Sequence, residues 1–148
     1  MKRTKFIAVT VAMLVVIGAL SWLGITLQKG RPVAVQQQVF APTGQLVTGF
    51  PKELVLDQVA QISGSYAVNY SPTLDQYTAN WTSTSSINDL YGEYVDYFIS
   101  RGWAITNTST DIAGFRGIYA VTSTADVNVV MNDSGQSGLS ATVSYVKE

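Results

Sequence analysis

Few side chains in this sequence can do chemistry, and their spacing limits what that chemistry could be. Asp89, Glu93 and Asp96 fall at i, i+4 and i+7 of an apolar-periodic stretch, which offers oxygen ligands to a hard cation such as Ca²⁺. No adjoining loop supplies carbonyl ligands to complete a shell. The same spacing therefore describes a solvated acidic face, with Asp89 favourably placed near a positive helix N-terminus. Asn132-Asp133-Ser134-Gly135 looks superficially like a cation loop, but it lacks the alternating oxygens and closing Glu of an EF-hand and reads as a hairpin turn. Serine and threonine are abundant, yet a hydroxyl nucleophile needs a base beside it. Lys52 and Lys147 are the only lysines of the body, both near its ends, and no Gly-x-Ser-x-Gly elbow occurs.

The 148 residues contain no Cys and no His. Thiol nucleophiles, disulfides, lipid attachment to cysteine, Fe–S ligation and imidazole acid–base or metal chemistry are excluded at once. No cofactor is implied and the expectation is a protein without catalytic activity. A hydrolase built on an unrecognised Ser/Asp site would need carboxylates converging in a concave site.

Charge is unevenly distributed. Lys2, Arg3, Lys5, Lys29 and Arg31 precede residue 50, whereas all 10 acidic residues lie from Glu53 onward and face only Lys52, Arg101, Arg116 and Lys147. Such an acidic body argues against nucleic-acid binding, which relies on clustered Lys and Arg to displace phosphate counterions.

The aromatic residues Tyr66, Tyr70, Tyr77, Trp81, Tyr91, Tyr94, Tyr97, Trp103, Tyr119 and Tyr145 could stack on a sugar or an apolar ligand. Most are expected in the inward register of strands or on an apolar helix face, where core packing accounts for them. Tyr97 borders the polar helix face. Together with Trp81 and Trp103 at the helix–sheet margin, it is the candidate contact for a ligand or partner. Asn80-Trp-Thr82, Asn107-Thr-Ser109 and Asn132-Asp-Ser134 match the glycosylation sequon, which matters only in a host with that machinery.

The elements that must position these groups are legible from periodicity. Ile87, Leu90, Tyr91, Tyr94, Val95, Phe98 and Ile99 recur at helical spacing and form a wide apolar face. Ser86 suits the N-cap, with Asp89 in the capping-box position, and Gly102 suits the left-handed residue after the helix, with Trp103 folding back over the last turn. Period-two alternation marks strands on either side. Ile62, Tyr66, Val68 and Tyr70 form one set, and Tyr77, Ala79 and Trp81 another. Trp103 and Ile105 open a third; then come Phe115, Gly117, Tyr119 and Val121, next Val127, Val129 and Met131, and last Leu139, Ala141, Val143 and Tyr145. Phe50–Leu56 is an extended lead-in. The expected class is α+β in ββαββββ order: a mainly antiparallel sheet with one helix on one face, its other face neutral and rich in Ser, Thr and Asn.

Ahead of this domain, Met1-Lys-Arg-Thr-Lys5 precedes an uncharged run, Phe6 to Leu27. As a helix the run would be about 33 Å long, matching a hydrocarbon core of about 30 Å, and Trp22 would sit at the outer interface. The expectation is a plasma-membrane anchor with the N-terminus cytoplasmic and the body outside. The alternative is secretion after signal-peptide cleavage near Ala19-Leu-Ser21, although Trp22, Leu23, Ile25 and Leu27 carry the apolar run past that site. The expected organisation is therefore a basic flank (1–5), a transmembrane anchor (6–27), an extended linker (28–49) and an extracytoplasmic α+β domain (50–148). The linker is Gln-, Gly- and Pro-rich. Val33-Ala-Val35 and Val39-Phe40 are points where an otherwise free spacer could touch the body or a partner.

The lead-in, paired strands, helix ending in Gly102-Trp103 and run of hairpins resemble small cell-envelope α/β modules of bacteria, often tethered by a lipid or a single helix. The resemblance spans about residues 50–147 and implies location and architecture only. The expected function is a membrane-anchored extracytoplasmic interaction or accessory module that contacts another envelope protein. The alternative is an envelope domain that binds a glycan or an apolar ligand.

Overall fold

Helix α1 runs from Ile87 to Ser100 in the computed structural model, which describes residues 37–135 and 138–147. Leu90, Tyr94 and Phe98 are fully buried along one stripe, as the periodicity requires. The C-terminal signal is also realised: Gly102 has φ +75°, Trp103 N–H donates to Phe98 O at 2.9 Å, and Gly102 N–H donates to Ile99 O at 3.1 Å. These are the paired bonds of a Schellman ending, and the Trp103 ring packs on Phe98 with centroids 5.6 Å apart. Two expectations fail. Ser86 makes no side-chain cap bond, so the capping box is absent; and Ile99 is 64% exposed because it lies beyond the edge of the buried stripe.

The strands are β1 (Gln37–Phe40), β2 (Gln61–Ser71), β3 (Leu74–Ser83), β4 (Ala104–Ser109), β5 (Phe115–Val121), β6 (Ala125–Asp133) and β7 (Leu139–Lys147). They form one sheet in the order β1-β2-β3-β7-β6-β5-β4, and every neighbouring pair is antiparallel. From β2 onward the order is the expected ββαββββ. The addition is β1. The sequence reads 28–49 as spacer, but Gln37–Phe40 pair with β2 and Val47 is buried. The lead-in is also not extended throughout, since Lys52–Leu54 make a short 3-10 turn that buries Leu54.

One face of the sheet is closed. Helix α1 covers β4, β5 and β6, and the core joins Val47, Phe50 and Leu54 from the 41–60 segment to Trp81, Ile118, Val127, Val129, Met131 and Val143 from the strands. Tyr94 Oη donates to Leu54 O beneath the helix, tying the two covers together. Among the described residues the opposite face carries no helix.

In β2 and β5 the aromatic set does not face inward as expected. Antiparallel partners share a face, and Ser65 and Ala67 pair with Ala79 and Tyr77. This turns Tyr66, Val68 and Tyr70 to the open side. The register shift between Ile62 and Gly64 causes the reversal, because one extra residue moves every later side chain to the other face. In β5, Ile118 and Ala120 enter the core, leaving Phe115, Gly117, Tyr119 and Val121 outward. Both alternating sets of β5 contain apolar residues, so hydrophobicity alone does not choose between them.

The expected anchor Phe6–Leu27, its basic flank and the first part of the linker, residues 28–36, lie outside the described residues. Among the described residues no helix is long and apolar enough to cross a membrane.

Candidate functional site

The three expected contact residues do not form one surface. Trp81 is 1% exposed, and its indole Nε1 donates to Asp57 Oδ2 at 3.2 Å. Asp57 itself is buried and also accepts from Ser85 Oγ and Val59 N–H, both at 3.1 Å. A buried carboxylate needs this many donors to offset its desolvation. Trp81 and Asp57 are therefore a latch between the 41–60 segment and β3. Tyr97 and Trp103 are half-buried and each packs on Phe98, with ring centroids 5.7 and 5.6 Å from it. Arg101 lies over the Tyr97 ring, 5.6 Å from its centroid. Burial, with the nearby Glu53 carboxylate adding, pushes the Tyr97 hydroxyl above the ordinary tyrosine range against the opposing pull of Arg101. Tyr145 is raised by the same two causes.

Asp89, Glu93 and Asp96 are all exposed on α1. Among the described residues no group of three or more His, Cys, Asp or Glu side chains is placed to hold a metal ion. Asn132 and Asp133 end β6, paired with Ser140 and Leu139, and the turn begins after them, with Gly135 N–H donating to Asp133 Oδ1 at 2.8 Å.

The surface that stands out is one the sequence left inside the spacer. Val39 and Phe40 are 53% and 67% exposed on β1, the outermost strand. Beside them a groove of about 300 Å³ opens between the strand and the 41–48 segment, with Val39, Pro42, Leu46, Ala67 and Tyr77 among its lining. The groove is a built feature. Val47 N–H donates to Ser65 Oγ at 3.0 Å, and Ser65 Oγ donates to Thr78 O at 2.9 Å, which pins the outer wall to the sheet. Gly49, at φ +97°, lets that wall pass over Tyr77: a Cβ there would fall 2.6 Å from the ring. Burial, then the adjacent Asp75 carboxylate, pushes the Tyr77 hydroxyl upward, so it is a neutral donor at physiological pH.

The signal for this margin was present in the sequence. Val33–Phe40 is an eight-residue uncharged run of Val, Gln, Ala and Phe, whose Val and Phe suit a strand, but the three Gln at its centre and the Gly and Pro around it resemble a spacer.

On the open face, short polar side chains bond across the strands. Thr142 Oγ1 donates to Asn80 Oδ1 at 2.8 Å, and the Thr78 and Ser144 hydroxyls lie 3.4 Å apart. This matches the expected neutral surface in its centre. The aromatic borders, Tyr66 and Tyr70 on one side and Phe115 and Tyr119 on the other, are what the sequence reading missed.

Comparison of the chain with protein-family models, with curated proteins and with solved structures returns no match.

Proposed function

We propose that this protein is a membrane-anchored extracytoplasmic interaction module, and that it engages an envelope partner by strand addition at β1. One observation carries the reading: the outer edge of the sheet is short and uncharged, exposes Val39 and Phe40, and borders a groove. Proteins ordinarily blunt sheet edges with charge, proline, bulges, a covering element or very short strands, and among the described residues β1 has only the last of these. Here Gln37–Phe40 have no charge and no proline, and their pairing with β2 runs without a register shift. Strand addition draws affinity from main-chain hydrogen bonds and specificity from pockets that accept alternate side chains. The groove beside Val39 is placed to take one such side chain. The N-terminal apolar run, with its basic flank, supports the anchor and the outward orientation.

The test is recovery of the intact chain from its native membrane by mild solubilisation, alongside a Val39→Lys, Phe40→Lys variant. A partner that co-purifies with the parent chain and is lost from the variant supports the reading. An isolated species in both preparations contradicts it.

A second reading, an envelope domain that binds a glycan or an apolar ligand, is favoured by a different surface, the aromatic border of the open face around Gly117, and stands independently of the β1 margin.

A further inference from the structure

Gly117 sits in the interior of β5 on the open face, and nothing in the backbone asks for glycine there. Its φ is not in the left-handed region, unlike that of Gly114 in the turn before it. Packing does not ask for it either: a Cβ would meet the Phe115 ring and Ser109 Cβ at 3.5 Å, ordinary contact distance. Glycine inside a strand costs roughly 0.5–1 kcal/mol relative to alanine, and its usual justification is a bulge, a bend or the close approach of another group. The pairing of Gly117 with Val130 is regular. What the residue supplies is space.

That space is a concavity of about 160 Å³. Phe115 and Tyr119 flank it along β5, Asn107 and Ser109 border it on β4, and Asn128 and Val130 on β6. Tyr119 Oη donates to Asp126 Oδ2 at 2.7 Å, which holds the ring in place before anything binds. No lining residue is charged. An ionic ligand would lose hydration there without a counter-charge, and the nearby Asp126 disfavours an anion.

We infer that the Gly117 concavity is a binding site for a neutral saccharide ring. A pyranose presents an apolar C–H face and a rim of hydroxyls, each both donor and acceptor. Two aromatic side chains meet the first requirement. The Asn107 and Asn128 amides, each carrying donor and acceptor groups, meet the second. The volume lies well below the roughly 300 Å³ at which drug-sized sites begin, which suits one ring of a chain whose neighbours run out over the Ser/Thr/Asn face. This site lies on the opposite face from the β1 groove and across the sheet from it, so either can fail without the other.

The experiment is saturation-transfer NMR of the full-length chain in a detergent without a sugar headgroup. The probes are maltotriose and chitotriose, with indole as an apolar comparison. Millimolar binding of at least one trisaccharide is expected. Gly117→Val should weaken it by about tenfold or more, Asn128→Ala by a smaller factor, and Val39→Lys should leave it unchanged. Gly117→Val fills the concavity from a backbone any residue adopts, and an unchanged thermal midpoint checks that it folds. Asn128→Ala, at an exposed position, provides the second variant. Absence of saturation transfer to both saccharides, binding of indole alone, or binding undiminished in both variants would overturn the inference.

Discussion

The two margins of the sheet differ in how they meet solvent. At β1 the edge is uncharged and regular, with Val39 and Phe40 exposed and a groove behind them. At β4 the edge is interrupted by a register shift between Ile105 and Asn107, and the exposed residues are Thr106, Asn107 and Thr108. A bulge twists the backbone out of plane and a polar fringe removes the reward for burial, so β4 is defended against strand pairing. One sheet thus offers an edge suited to another chain and, at its far side, a polar-aromatic concavity suited to a small neutral ligand. The difference teaches that location in the sheet is not enough to define an interaction surface. What matters is how an edge is protected: among the described residues β4 carries a bulge and a polar fringe, whereas β1 has only its short length.

Perturbing the covers of the closed face should separate the margins most strongly. Asp57→Ala leaves the Trp81 indole and Ser85 hydroxyl without their acceptor. It is expected to cost about 2–4 kcal/mol in urea unfolding, and to loosen the segment that continues from the groove wall. Partner recovery should fall while saccharide binding at Gly117 persists below the unfolding transition.

Ser65→Ala is narrower. It strands the buried Val47 N–H and should cost about 1–3 kcal/mol, again affecting the β1 groove and sparing the β5 concavity.

Tyr94 probes the core both margins share. Burial, with Asp57 adding, raises its hydroxyl far above the ordinary value of 10.0, outweighing the opposing Leu56 backbone hydrogen bond. The folded state therefore holds the phenolic proton more tightly than the unfolded chain. Stability is fully present below about pH 10 and falls as pH rises beyond it, by up to about 1.4 kcal/mol per pH unit for this group. Tyr94→Phe should lose this alkaline slope, measured by denaturant unfolding across the range, while costing about 1–3 kcal/mol at neutral pH by orphaning Leu54 O.

Val39→Lys should change stability least, within about 0.5 kcal/mol, because the residue is exposed. Its effect should appear in partner recovery alone.

Much of the fold was legible because local signals and tertiary packing agree. The α1 stripe, the Gly102-Trp103 ending and the inward sets of β3, β6 and β7 each have one apolar register, and the structure uses it. Legibility failed where two registers competed. In β2 the irregularity near Gly64 reverses the later residues, and in β5 Ile118 and Ala120 displace Phe115 and Tyr119 from the core. Those reversals put aromatic rings on the open face, so the concavity was hidden for the same reason. Trp81 was misplaced differently. Its position in an inward set was clear, but its polar partner Asp57 lies 24 residues away, a separation that pattern reading does not bridge. Strand β1 escaped because its pairing depends on the exposed edge of β2 and not on an apolar face of its own.

The most direct test of the central claim is site-specific photo-crosslinking of the full-length chain in its native membrane, with the photoreactive residue placed in turn at Phe40 and at Thr108. A discrete adduct to another envelope protein is expected from position 40 and none from position 108. Equal labelling at both positions, or adducts only from position 108, would contradict it.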